Sequence, residues 1–292
     1  MDLSAQPTIE QGYERIGPTA WGMAYRRTFF DIPYSREIFH ELQRMMKPPR
    51  LTPELEDDKA SAHDLQFEAR FRLVSRLVEE SKADQILEIA SGFSPRGLSM
   101  AQNPSFEYVE LDLPELMRMK QAIVQRLSQE SAVPTPSNFH FAPGNALEMP
   151  DLLSAVLPFR EKPIAVVVEG LLRYLNFQEQ TLLARNIHCL LEHFGGAWIT
   201  PDITVQKPSP SRDAGEQSLQ PEVMGGVNLT ITRFSSEADA SRFFENLGFS
   251  IERHSFLEAA DDLVLPQQLN LSRQQIAERI GRSVVFIMRV RR

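Results

Sequence analysis

The apolar pattern of the chain changes character near residue 65. Residues 1–65 are polar and punctuated by Pro18, Pro33, Pro48, Pro49 and Pro53, with short helical stretches over 20–30 and 35–46. Ser35 stands where it can cap the second stretch. No strand-like alternation occurs here, so the segment reads as an N-terminal helical cap on a main domain at 66–292. Phe67, Phe71, Val74 and Val78 then repeat at helical spacing and make one apolar face. Arg72 and Arg76 project from the other side, as solvated residues do. Arg70 lies within the apolar stripe, where a charge requires a partner because burial without one is costly. That partner is a protein acid or a ligand carboxylate.

From here apolar runs alternate with helical ones. Strands are expected at 85–90, 106–111, 138–142, 164–168 and 197–202, and helices at 114–129 and 178–194. The run Ile164-Ala165-Val166-Val167-Val168 is wholly apolar, as in a strand covered on both faces of a parallel sheet. Residues 203–232, rich in Pro, Ser, Gly and Gln, read as a lid-like insertion. A helix at 236–247 and strands at 248–254 and 283–290 complete the pattern. The long connection between these last strands suits an antiparallel pair at a sheet edge. The expected fold is α/β, a Rossmann-like seven-stranded sheet, mostly parallel with the last strand antiparallel, carrying the helical cap.

Candidate chemistry concentrates after the first strand, in Ile86-Leu87-Glu88-Ile89-Ala90-Ser91-Gly92-Phe93-Ser94-Pro95-Arg96-Gly97. About 20 residues later a second apolar run, Tyr108-Val109-Glu110-Leu111-Asp112, ends in acids, the pattern of a βαβ unit that holds a nucleoside. The small-residue turn lets backbone approach the ligand, and the acid accepts from the ribose hydroxyls. Ala90 replaces the first glycine of a dinucleotide fingerprint, and Glu88 sets a carboxylate inside the strand. An anionic pyrophosphate disfavours that acid. A ligand with a cationic amino group suits it, which points to S-adenosylmethionine and makes Glu88 a cofactor-site candidate. Glu110 and Asp112 share one strand face, and Asp112, nearer the strand end, is the preferred ribose clamp. Glu169 follows the fourth apolar run and also requires a partner.

Four stretches together resemble the leucine carboxyl methyltransferases and their relatives, the tetracenomycin-type polyketide O-methyltransferases. They are Phe67-Glu68-Ala69-Arg70, the Ile86–Gly92 loop, Tyr108-Val109-Glu110-Leu111-Asp112-Leu113-Pro114 with Lys120 downstream, and Val168-Glu169-Gly170-Leu171-Leu172-Arg173-Tyr174-Leu175. The resemblance implies a class I S-adenosylmethionine-dependent O-methyltransferase whose product is S-adenosylhomocysteine. It implies that Arg70 binds the methionine carboxylate and that Ala90, Ser91, Gly92 and Phe93 pass close to the methionine part. Asp112, with Leu113, would take the ribose hydroxyls, Asn145 and Ala146 would face the adenine, and Glu169, with Gly170, would meet the amino group. The loop departs from many relatives at Phe93-Ser94-Pro95-Arg96, and Asn145 stands where Asp is common. Lys120 reads as a solvated helix residue.

A carboxylate acceptor is anionic at neutral pH and needs no general base, only groups to hold it. Tyr174 and Arg173, just after the fourth strand, are the catalytic candidates. Tyr25, Arg26 and Arg27 in the cap are alternatives. A phenolic acceptor would benefit from a base. The six histidines lack metal-ligand spacing, so no metal is assigned.

The bulk properties narrow the partners. With 292 residues and a net charge of −8, the chain is a poor fit to nucleic acid. No apolar run approaches a membrane span. The single cysteine, Cys189, suits a reducing compartment and reads as a buried thiol. The expectation is a soluble cytoplasmic enzyme acting on a small-molecule methyl acceptor. A nicotinamide-dependent oxidoreductase and a non-catalytic nucleoside-binding protein are the alternatives.

Overall fold

Strand-period burial organises the centre of the molecule, as seen in a computed structural model that describes residues 19–45, 64–130, 135–206, 219–224 and 227–291. The N-terminal part contains α1 (19–27), α2 (Ser35–Met45) and α3 (Asp64–Glu80). Next come β1 (Gln85–Ile89), α4 (Arg96–Met100), β2 (Glu107–Asp112), α5 (Pro114–Glu130), β3 (Phe139–Pro143) and α6 (Met149–Ala155). They are followed by β4 (Ile164–Val168), a 3-10 turn (Leu172–Tyr174), α7 (Phe177–Phe194) and β5 (Gly196–Thr200). The last third holds β6 (Leu219–Met224), β7 (Val227–Thr232), α8 (Glu237–Asn246) and β8 (Phe249–Ser255). A 3-10 segment (Phe256–Asp262), α9 (Leu265–Gln268), α10 (Arg273–Ile280) and β9 (Val284–Val290) end the chain's described part.

The seven-stranded sheet has the order β3-β2-β1-β4-β5-β9-β8. The first five strands are parallel, and β9 runs antiparallel to both β5 and β8. Alternate residues feed two cores. Ile86, Tyr108, Phe139, Ala165 and Val167 pack with α1, α2, α3 and α5 on one face. Leu87, Ile89, Val109, Val166 and Trp198 pack with α6, α7 and α8 on the other. Trp21, Phe30, Ile38, Phe39 and Leu42 join the first core, so the two N-terminal helices share it with the sheet. The strand order reverses between β1 and β4, and ligands of open α/β sheets bind at the carboxyl ends of strands at such a point.

Several expectations are corrected. The first helix stops at residue 27, where the amides of Thr28, Phe29 and Phe30 turn back to the carbonyls of Tyr25, Arg26 and Arg27. Ser35 is the first helical residue rather than a cap, and its buried hydroxyl has no hydrogen-bond partner among the described residues. Arg72 and Arg76 are partnered rather than solvated. Arg72 donates to Glu68 within α3 at 2.8 Å and to the Asp31 carbonyl at 3.4 Å, and Arg76 ties α3 to the Glu258 carbonyl at 2.8 Å and to Asp262 at 3.3 Å. Cys189 is exposed, because it falls on the outer side of α7, next to buried Leu190. The 203–232 segment contains an antiparallel hairpin, β6–β7. Among the described residues no helix is long and apolar enough to cross a membrane.

Candidate active site

The turn after β1 is built from two residues with positive φ, Ala90 at +55° and Gly92 at +50°. A Cβ at Gly92 would lie 3.6 Å from Cβ of Ala20, so α1 runs directly over this turn. The Gly92 amide donates to Oδ2 of Asp112 at 2.7 Å, and the Leu113 amide donates to Oδ1 at 2.8 Å. These two bonds fix the Asp112 carboxylate at the end of β2. Burial raises its pKa, with the two amides acting in the other direction.

Glu110, on the same face of β2, is committed elsewhere. It is fully buried, with Lys120 Nζ 2.5 Å from Oε2 and the Ser91 hydroxyl at 3.4 Å. Lys120 is itself fully buried, which corrects its reading as a solvated residue. It turns inward because a buried Glu110 requires a cation.

Glu88 is also internal. One carboxylate oxygen meets Arg96, and the other accepts from the Tyr108 hydroxyl at 2.8 Å. The acid in the first strand thus neutralises a protein guanidinium. Both of its oxygens therefore have protein partners at the base of the candidate site.

Arg96 joins Glu88 to Glu169. Its second guanidinium nitrogen lies 2.5 Å from Oε2 of Glu169, its Nε donates to Ser75 at 3.0 Å, and its face rests on Phe71 at 4.5 Å. The other Glu169 oxygen accepts from Nε of Arg70 at 3.0 Å and from Arg27 at 3.5 Å. Arg70 thus has a protein acid as a partner in this structure. Burial would raise the pKa of Glu169, but Arg96, Arg70 and Arg27 together hold it well below the usual carboxylate range. Arg96 was passed over as a loop departure, yet a charge flanked by Phe93, Leu98 and Met100 carries the same signal as Arg70.

Past Glu169 the chain turns at Gly170, with φ +91°. Asp202, buried just beyond β5, accepts from the amides of Gly170, Leu171 and Leu172 at 2.6, 2.8 and 3.2 Å. It fixes the turn that presents Arg173 and Tyr174. Sequence reasoning missed it, although an acid at the end of a parallel strand was the signal that singled out Asp112. Arg173 stacks on Tyr174 at 5.7 Å, and burial raises the pKa of the Tyr174 phenol. Strand β7 packs against this 3-10 turn.

On the other side of Asp112, after β3, Asn145 Oδ1 accepts from the Leu147 amide at 3.0 Å and the Asn145 amide donates to Asp151 at 2.7 Å. Ala146 is buried beside them. The ends of β1, β2 and β4 thus carry Ala90–Gly92, Asp112 and Glu169, with Arg70 reaching in from α3. Arg26, the neighbour of Arg27 on α1, pairs with Asp64 at 3.4 Å.

The five-stranded parallel sheet extended by an antiparallel β9 and an edge β8, in the order β3-β2-β1-β4-β5-β9-β8, has the topology of the class I methyltransferase fold. The chain belongs to the leucine carboxyl methyltransferase family, whose family model matches residues 17–188. No curated protein sequence matches it. Among solved structures, the glycopeptide N-methyltransferase MtfA complexed with S-adenosyl-L-methionine is similar at 13% identity, covering 77% of this chain and 94% of its own, with a TM-score of 0.48. The CcbJ methyltransferase from Streptomyces caelestis is similar at 14% identity over 84% and 98%, with a TM-score of 0.47. Magnesium protoporphyrin IX methyltransferase (ChlM) from Synechocystis PCC 6803, with bound S-adenosylmethionine, is similar at 12% identity over 100% of both chains, with a TM-score of 0.48.

Proposed function

We propose that the protein is an S-adenosylmethionine-dependent O-methyltransferase that esterifies a carboxylate on a small molecule, with phenols as the second acceptor class. The observation that carries the reading is the Arg70–Glu169 pair at the end of β4, one strand across β1 from the end of β2 that holds Asp112. A zwitterionic nucleoside needs a cation for its carboxylate, an anion for its ammonium and an acid for its ribose diol. Arg70, Glu169 and Asp112 fit these needs in kind. The Ala90–Gly92 turn supplies close backbone, and Asn145–Ala146 lie where an adenine edge would reach. The carboxylate preference rests on the family match and on Arg173 and Tyr174 after β4.

The donor supplies a methyl group on an already activated sulfonium, so the protein's task is alignment and exclusion of water. An ionised acceptor carboxylate brings its own nucleophilic oxygen. Arg173 and Tyr174 would hold it, and α1–α2 with the β6–β7 hairpin would close over it. Incubation with methyl-labelled S-adenosylmethionine and a panel of carboxylic acids, phenols and amines tests this. The expected product is a labelled, base-labile ester. Label retained through alkaline hydrolysis would contradict ester formation, and transfer only to nitrogen acceptors would contradict O-methylation.

A further inference from the structure

We infer that Arg27 on α1 is part of the receptor for the donor's amino-acid end and shares the ligand carboxylate with Arg70. This rests on the donor reading above. Three observations lead to it. First, α1 is already at the site, since Ala20 packs over the Gly92 turn. Second, Arg27 is 8% exposed, and its guanidinium shares Oε1 of Glu169 with Arg70, at 3.5 and 3.0 Å. It stacks on Phe71, as Arg96 does.

Third, the ion pairs of this buried cluster do not balance. Among the described residues Arg27, Arg70 and Arg96 pair with Glu88 and Glu169, and the further acid whose charge Arg70 meets, Asp202, is committed to the amides of Gly170, Leu171 and Leu172. An excess positive charge away from water is costly. Burial lowers the Arg27 pKa; Glu169 and Glu88 counter this, while Arg96 and Arg70 lower it further. A single carboxylate entering beside Arg27 and Arg70 would neutralise the excess. The ligand's ammonium would then take Oε1 of Glu169, the oxygen these two arginines now share, while Arg96 keeps Oε2 in place. Recognition is thus an exchange of ion pairs. An adenosine ligand without the amino-acid end would gain nothing from Arg27.

Calorimetric titration of S-adenosylhomocysteine and of 5′-methylthioadenosine, which lacks the amino-acid end, tests this in wild type, Arg27→Gln and Arg27→Lys. Loss of one charge-assisted contact predicts roughly ten- to hundredfold weaker S-adenosylhomocysteine binding in Arg27→Gln. Methylthioadenosine affinity should change by less than about twofold on the same argument. Arg27→Lys keeps the charge but not the planar fork, so it should lie between, again for S-adenosylhomocysteine alone. It also preserves a cation for Glu169 should the neutral variant fold poorly. Unchanged S-adenosylhomocysteine affinity, or equal losses for the two ligands, would overturn the role of Arg27. Wild type binding neither ligand would instead overturn the donor reading itself, and this inference with it.

Discussion

One added carbon at Gly97 would disturb a buried ion pair and a buried hydrogen bond. Its Cβ would lie 2.4 Å from Oε1 of Glu110 and 2.9 Å from the Tyr108 ring. Glu110 is held by Lys120, and Tyr108 holds Glu88. Overpacking of this kind predicts that Gly97→Ala lowers stability by about 1–3 kcal/mol, read from the urea midpoint. An unchanged midpoint would contradict the tight packing. Glu169→Gln should destabilise by stranding Arg27, Arg70 and Arg96. The sign with pH follows from its lowered pKa. Glu169 contributes its stability above the ordinary value of 4.5 and loses it as the pH falls towards the folded value. The gap between wild type and Glu169→Gln should therefore narrow as the pH drops below 4.5. A gap that widened with acid would contradict this. At this scale the sequence disclosed need but not partner. Arg70 announced itself by sitting in an apolar stripe. Its partner is 99 residues away and belongs to a different element, so only the tertiary fold could name it.

Elements were more legible where one period dominates. The wholly apolar 164–168 run became β4 with the expected bounds, and the alternation in β1 and β2 placed their acids on one side of the sheet. The β6–β7 hairpin was missed because Pro, Ser and Gln obscure the composition of 203–232. Its signal was nevertheless present, as Gly225-Gly226 between two runs of strand residues. The turn after β4 depends on Asp202, whose three accepted amides hold Gly170, Leu171 and Leu172. Asp202→Ala would leave those amides without their acceptor. It should cost at least about 2 kcal/mol in denaturant unfolding, since each unsatisfied buried donor carries a desolvation penalty. A loss of only a few tenths would mean that the turn is held by its own backbone.

Across the whole molecule, the charge distribution separates the site from the surface. The chain carries a net charge of −8, yet among the described residues three arginines at the end of β4 share their ion pairs with two acids, Glu88 and Glu169. The third cation is drawn in from α1, which shares a core with the sheet. The parallel sheet and its switch point were legible from alternating elements. The arginine cluster was not, because it arises where α1, α3 and α4 converge on β4.

The most direct test of the donor assignment is calorimetric binding of S-adenosylmethionine, S-adenosylhomocysteine and NADH to the purified protein, with Asp112→Ala in parallel. The account predicts affinities on the order of micromolar for the two sulfur ligands, none for NADH, and a marked loss in a folded Asp112→Ala variant. Binding of NADH, or no binding of either sulfur ligand to folded protein, would contradict it.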